Sequence, residues 1–181
     1  LFDRSGTKLW EQPIPISDSG GGWMGTESKS VAISEHGEYV VAGCTNNLYV
    51  YKNNGALLWS CMGQETCVGI SPNGNYIVAC DVGSGVIQLF SIASSTSLWT
   101  ASIGAFWVAT SDPGYVVVSD YHSKVYLYSS AGPTPIWSYS HSKWDDDYIR
   151  VDMSQDGLDI VAVNDDPADY PGTILCYWND G

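Results

Sequence analysis

The chain has 181 residues, enough to bury the core of one average domain, and a formal net charge of −13 from seven Lys and Arg against 20 Asp and Glu. That balance argues against nucleic acid, whose binding needs basic side chains to replace counterions, and against an anionic membrane surface by the same sign. No apolar run approaches membrane-spanning length, so no membrane insertion is expected; no signal peptide is visible, and the Leu at position 1 reads as the start of a processed or excised segment.

Eight Trp, twelve Tyr and 19 Gly accompany many Val and Ile residues, separated by short runs of Gly, Asn, Asp and Ser. This mixture predicts strands joined by tight turns, and no helix-length stretch shows 3.6-residue periodicity. The fold class expected is all-β. In chain order, "LFDRSGTKLW" reads as the end of one strand, a turn, and a second strand reaching Trp10. A long polar connection, "PIPISDSGGGWMGTE", follows.

Three full units come next: "SVAISEHGEYVVAGCTNNLYVYKNNGALLW", "CVGISPNGNYIVACDVGSGVIQLFSIASSTSLW" and "FWVATSDPGYVVVSDYHSKVYLYSSAGPTPIW". Each has a short apolar strand ending in Ser or Thr-Ser, a turn closing on Gly, and a β-branched strand. A loop then leads to an alternating strand ending in Tyr51, Phe90 or Tyr128, and a last strand carries Trp59, Trp99 or Trp137. The three Trp are 40 and 38 residues apart, and four strands in about 40 residues is one propeller blade. A fourth copy, "IRVDMSQDGLDIVAVNDDPADYPGTILCYWNDG", supplies three strands.

The expected domain is a single β-propeller spanning 1–181, with repeats at about 1–29 (partial), 30–66, 67–105, 106–147 and 148–181 (partial). Phe2 aligns with Tyr51, Phe90, Tyr128 and Tyr177, so about four four-stranded blades lie between two points of the same phase. Two arrangements fit. The chain is an internal slice of a larger propeller, or its N-terminal strand completes the last blade and closes a four-bladed ring. The third strand and its turn occur at both ends, and the first residue is Leu; both favour the slice.

The five cysteines, Cys44, Cys61, Cys67, Cys80 and Cys176, form no CxxC pair and have no His at metal-ligand spacing. Buried thiols in strands are the ordinary expectation, and a Cys61–Cys67 bridge across a short loop stays open.

The phrase "LFDRSGTKLW" resembles the repeat of the pyrroloquinoline-quinone-like propeller family, in which an acidic residue, a Thr-Gly or Gly-Thr turn, Lys and Trp follow in order. The "SPNG" and "SQDG" turns are similar to the first turn of WD40-like repeats. The resemblance implies a docking role between blades for Trp10, Trp59, Trp99 and Trp137. Later copies lack the Lys, reading "NNGALLW", "SSTSLW" and "AGPTPIW". Quinone-using members are longer dehydrogenases with a calcium site and catalytic Asp, parts that have no counterpart here; many other relatives are binding scaffolds of cell envelopes and surfaces.

Short turns, "SEHG", "SPNG", "SDPG", "SQDG" and "KNNG", share one end of such blades, while "PIPISDSGGGWMGTE", "SYSHSKWDDD" and "NDDPADYPG" lengthen the opposite end. Scaffold loops that grow on one face are usual places for function. The expected binding face for a protein partner carries Trp23, Met24, Trp144, Asp145, Asp146, Asp147, Asp165, Asp166, Asp169 and Tyr170: aromatic anchors in an acidic surround, suited to a partner with basic groups. The plainer alternative is that the two Trp cover the loops and the carboxylates are solvated. No cofactor is expected, although the Asp clusters could supply hard oxygen ligands to calcium; neither follows the D-x-D-x-D-G loop pattern.

Ser30, Cys67, Trp107 and Arg150 share one column on the innermost strands, where Trp107 and Arg150 form a candidate channel ring; a salt bridge of Arg150 to Asp147 or Asp152 is the preferred reading. His36, His122 and His141 lie in separate turns, and no catalytic motif appears. The sequence thus reads as a non-enzymatic β-propeller scaffold for protein binding, outside the cytoplasm at a cell surface, in the envelope or in the periplasm. Two alternatives stand beside it: a fragment of a quinone-dependent dehydrogenase, and a surface or filament protein that self-associates through open blade edges.

Overall fold

In the computed structural model, the described residues are 1–13, 31–44, 47–62, 67–81, 83–122, 124–140 and 149–163, with the backbone of 164 and 174–178. They form fifteen strands and no helix. The first sheet contains β1 (Val31–Ile33), β2 (Tyr39–Cys44), β3 (Asn47–Lys52) and β4 (Leu57–Met62). The second contains β5 (Cys67–Ile70), β6 (Tyr76–Asp81), β7 (Val86–Ser91) and β8 (Ser97–Ser102). The third contains β9 (Ala105–Thr110), β10 (Val116–Asp120), β11 (Lys124–Ser129) and β12 (Gly132–Ser140). The fourth contains β13 (Ile149–Met153), β14 (Asp159–Asn164) and β15 (Ile174–Trp178). Every sheet is an antiparallel meander in sequence order.

The sheets stack in series through their first strands: β1 and β2 meet β5, β5 and β6 meet β9, and β9 to β11 meet β13. Residues alternate between the two faces of each strand, so the second and third sheets each present one face to the sheet before and one to the sheet after. Three apolar layers result. Val41, Leu48 and Val50 pack on Val68, Ile77 and Phe90 between the first two sheets. Cys67, Val78, Cys80 and Leu89 pack on Phe106, Val108, Val116 and Tyr128 between the second and third. Ala109, Val117 and Leu127 pack on Ile149, Val151 and Ile160 between the third and fourth. Burial on both faces explains why the second strands read as unbroken β-branched runs rather than as alternating ones.

The pairing of the outermost strand slips at the same place in three sheets, after Val50, Leu89 and Leu127. Such bulges raise the local twist and re-aim a side chain. In each case they place Trp59, Trp99 or Trp137 opposite the third strand.

Leu1–Trp10 is a hairpin of its own. Phe2 bridges Lys8, and Asp3 Oδ1 accepts from Ser5 N, Thr7 N and Ser5 Oγ in the turn. The hairpin lies against the first sheet through Trp10 rather than adding to the last one, which has three strands among the described residues.

Cys61 and Cys67 are not joined by a disulfide, so the short-loop bridge does not form. The physical reason is direction. Cys61 packs into the layer between the first and second sheets, whereas Cys67 is fully buried in the next layer, opposite Cys80.

Candidate functional site

One end of the sheet stack is built from four copies of one turn: Ser34–Gly37, Ser71–Gly74, Ser111–Gly114 and Ser154–Gly157. In each, the Gly amide donates to the Ser carbonyl at 2.8–3.0 Å, and the Gly takes a positive φ of 70–85°. Left-handed backbone of this kind is what Gly supplies without a Cβ penalty. The Ser hydroxyl oxygen accepts from the amide that opens the second strand: Tyr39, Tyr76, Tyr115 or Asp159.

Successive turns are bonded to each other. Glu35 N donates to the Pro72 carbonyl (2.9 Å), Asn73 N to Asp112 Oδ1 (2.7 Å) and Asp112 N to the Gln155 carbonyl (2.9 Å). Gln155 Nε2 then bridges two carboxylates, Asp112 Oδ2 at 2.8 Å and Glu35 Oε2 at 3.3 Å. Tyrosines supply a second tie: the rings of Tyr39, Tyr76 and Tyr115 lie on Gly74, Gly114 and Gly157 of the next sheet, so close that a Cβ there would come within 2.7–2.9 Å of a ring carbon. This end spends its polar groups on its own architecture.

The opposite end is described in part. Asp81 Oδ1 accepts from Gly83 N and Ser84 N, which folds the β6–β7 loop. The Gly85 carbonyl accepts from the amides of Ile103, Gly104 and Ala105. In the third sheet Asp120, 2% exposed, plays the part of Asp81: Oδ1 accepts from the backbone amides of His122 and Lys124, and Oδ2 from Tyr126 Oη at 2.9 Å. Burial, then the Asp120 bond, raises the Tyr126 phenol well above its usual range. Burial followed by the Asp120 charge pushes Tyr128 up to about 12.

Of the residues singled out in the sequence, Trp23, Met24, Trp144, Asp145, Asp146, Asp147, Asp165, Asp166, Asp169 and Tyr170 lie outside the described residues. Among the described residues no group of three or more His, Cys, Asp or Glu is placed to hold a metal. In the proposed channel column, Cys67 is buried between sheets, Trp107 is half-buried, and the Arg150 guanidinium carbon lies 5.6 Å from the Trp107 ring centroid. His36 and His122 are exposed.

Trp10, Trp59 and Trp99 share one geometry. Trp10 tilts against Tyr51 (5.6 Å between centroids) and donates to the Asn53 carbonyl at 2.7 Å. Trp59 tilts against Phe90 (5.7 Å) and donates to the Ile92 carbonyl at 2.7 Å. Trp99 tilts against Tyr128 (5.4 Å) and donates to the Ser129 carbonyl at 3.0 Å. Trp137 packs on the layer between the third and fourth sheets. The Tyr-on-Gly contacts and the turn-to-turn bonds were not read from the sequence. Their signal was a Tyr four or five residues behind the turn Ser in three repeats.

No protein-family model matches the chain, and no curated protein matches it in sequence. Solved structures do match. The chain is similar to hydrazine synthase of Kuenenia stuttgartiensis (TM-score 0.66, 14% identity, 86% of this chain on 49% of that one). It is similar to BamB of Moraxella catarrhalis (TM-score 0.61, 13% identity, 75% on 41%). It is also similar to the C-terminal WD40 domain of Sif2 (TM-score 0.67, 18% identity, 92% on 49%). The chain spans about half the length of these structures or less. With these likenesses the serial antiparallel sheets are the blades of a β-propeller, and four blades fit.

Proposed function

We propose that the chain is a non-catalytic β-propeller scaffold that binds a protein partner carrying basic groups. The contacts are assigned to the end opposite the bonded turns, through Trp23, Met24, Trp144 and Tyr170 with Asp145–Asp147, Asp165, Asp166 and Asp169. The observation that supports it is the division of labour between the two ends. The turn end uses short repeated turns whose carboxylates and amides bond one another, while the chain's extra length falls in the loops of the other end. A net charge of −13 favours a cationic partner over an anionic one. The pyrroloquinoline-quinone-like resemblance of "LFDRSGTKLW" supports placement at a cell surface or in the envelope.

Titration calorimetry with matched Lys-rich and Glu-rich peptides tests this reading. The Lys-rich peptide is expected to bind, more weakly at high salt. Trp144→Ala combined with Asp145, Asp146 and Asp147→Asn is expected to weaken it about thirtyfold, the loss of one hot spot. Equal binding of both peptides, or no loss in the variant, rejects the assignment.

A further inference from the structure

The described turns contain two Asn-Gly dipeptides, Asn54–Gly55 between β3 and β4 and Asn73–Gly74 between β5 and β6. Asn is a thermolabile residue, and Gly after it offers no side chain to shield its amide nitrogen from the neighbouring carboxamide. Both glycines have a positive φ, 83° and 76°, and both asparagines are exposed.

The two carboxamides are held differently. Asn73 Oδ1 accepts from Ser71 Oγ (2.8 Å) and Asn75 N (2.9 Å), and its Nδ2 donates to the Asp112 carbonyl (3.4 Å). Asn54 Oδ1 accepts from Ala56 N (3.0 Å), and among the described residues that is its one side-chain bond. An Asn bonded to the amide two residues on folds its carboxamide over the amide between, here that of Gly55.

Asn54 also lies inside the seat of Trp10. The indole donates to the Asn53 carbonyl at 2.7 Å, and Gln12 Nε2 donates to the Gly55 carbonyl at 2.9 Å. The ring lies so close on Gly55 that a Cβ there would come 3.0 Å from Trp10 Cγ. Asn54 is the residue between those two carbonyls. The seats of Trp59, at Ile92, and of Trp99, at Ser129, fall in "SIASS" and "SSAG", which contain no Asn.

We propose that Asn54 is a site of spontaneous conversion to isoaspartate, and that this modification unseats the Leu1–Trp10 hairpin from the first sheet. The Gly55 nitrogen leaves its 3.0 Å bond to the Lys52 carbonyl, gives up its proton and attacks Asn54 Cγ. A C–N bond forms, the Cγ–Nδ2 bond breaks, and Nδ2 departs with that proton as ammonia, closing a succinimide ring. Water then opens the ring at the former main-chain carbonyl, which becomes a free carboxylate. No oxidant or reductant takes part. The main chain now runs through Cβ and Cγ, longer by one C–C bond of about 1.5 Å between the Asn53 and Gly55 carbonyls. A seat that holds one hairpin at 2.7 and 2.9 Å cannot keep both bonds across that change.

A two-stranded hairpin without its support is marginal in water. Arg4 and Lys8 are exposed within it, so trypsin reads its release. The chain is held at mildly alkaline pH, peptide mapping follows the amide-to-acid mass change, and brief digestion follows cleavage after Arg4 and Lys8. Asn54 is expected to convert about tenfold faster than Asn73, the factor set by the two further bonds that hold Asn73. Cleavage after Lys8 should rise about tenfold in the converted chain, as local opening grows. Asn54→Ser keeps an oxygen for Ala56 N and should neither convert nor gain cleavage. Freshly prepared Asn54→Asp has the acid without the longer main chain and should be cut at the rate of the unconverted chain. Conversion of Asn73 as fast as Asn54 overturns the proposal, as does a converted chain cut no faster than a fresh one. So does the same gain in Asn54→Ser, which would place the change elsewhere, or in Asn54→Asp, which would assign it to charge.

Discussion

Trp59 of the first sheet and Ile92 of the second are joined by a 2.7 Å hydrogen bond from the indole Nε1 to the backbone carbonyl, while the indole lies on Phe90. One side chain thus supplies both an aromatic contact and the only class of bond an indole can donate. Trp59→Ala is expected to cost about 3 kcal/mol and Trp59→Phe about 1 kcal/mol, the latter for the carbonyl left without its donor. Urea midpoints measure both. Equal losses for the two variants would show that the bond, not the packing, is what the position needs.

Gly74→Ala is expected to destabilise by at least ~1–2 kcal/mol, because L-residues are strained at its φ of 76° and the new Cβ would sit 2.7 Å from the Tyr39 ring. Tyr39→Ala should relieve the second effect and not the first. The double variant is therefore expected to lose less than the sum of the singles.

Alkaline pH should weaken the fold between about pH 10 and 12. Tyr128, with an ordinary value of 10.0, is pushed up to about 12 in the folded chain by burial and the Asp120 charge. The folded state holds the phenol proton more tightly than the unfolded one, so this stabilisation is complete below pH 10 and lost as pH rises through 12. Tyr126 shifts in the same direction. Tyr128→Phe should flatten the decline in urea midpoint from pH 9.5 to 11.5; an unchanged slope would assign the loss elsewhere.

Cys67 and Cys80 are fully buried. Neither should react with a water-soluble aromatic disulfide until the chain unfolds, whereas Cys44 and Cys61 are half-buried and should react slowly in the folded state. Burial raises the Cys44 thiol, which lowers its thiolate fraction further. Mass mapping after brief labelling distinguishes these groups; early labelling of Cys67 would mean that the second and third sheets part easily.

The strands and their order were legible because a repeat reports itself several times. "SPNG", "YIVAC" and the Trp that follows recur at one spacing, and each maps to a turn, a second strand and an outermost strand. What was not legible is what one repeat does to the next. Cys67 aligns with Trp107 and Arg150, yet it is fully buried between sheets while Arg150 is exposed, because a third sheet follows the second and no described sheet follows the fourth. Position within a repeat is written in the sequence; the neighbour that covers it is a matter of stacking. Whether Cys61 and Cys67 meet stayed open in the sequence for the same reason, since nearness along the chain says nothing about which layer a thiol enters.

The three apolar layers carry a consequence for how such a chain changes length. The second and third sheets receive the same kinds of side chain on their forward faces and offer the same kinds on their rear faces. Deleting residues 67–104 would set Ala32, Val41 and Leu48 against Val108, Val116 and Tyr128, a junction of the type already present. Interior units are thus interchangeable parts that duplication or loss can add or remove without a new interface. The first and last units are not, because Val31 and Asp152 face outward and suit different neighbours.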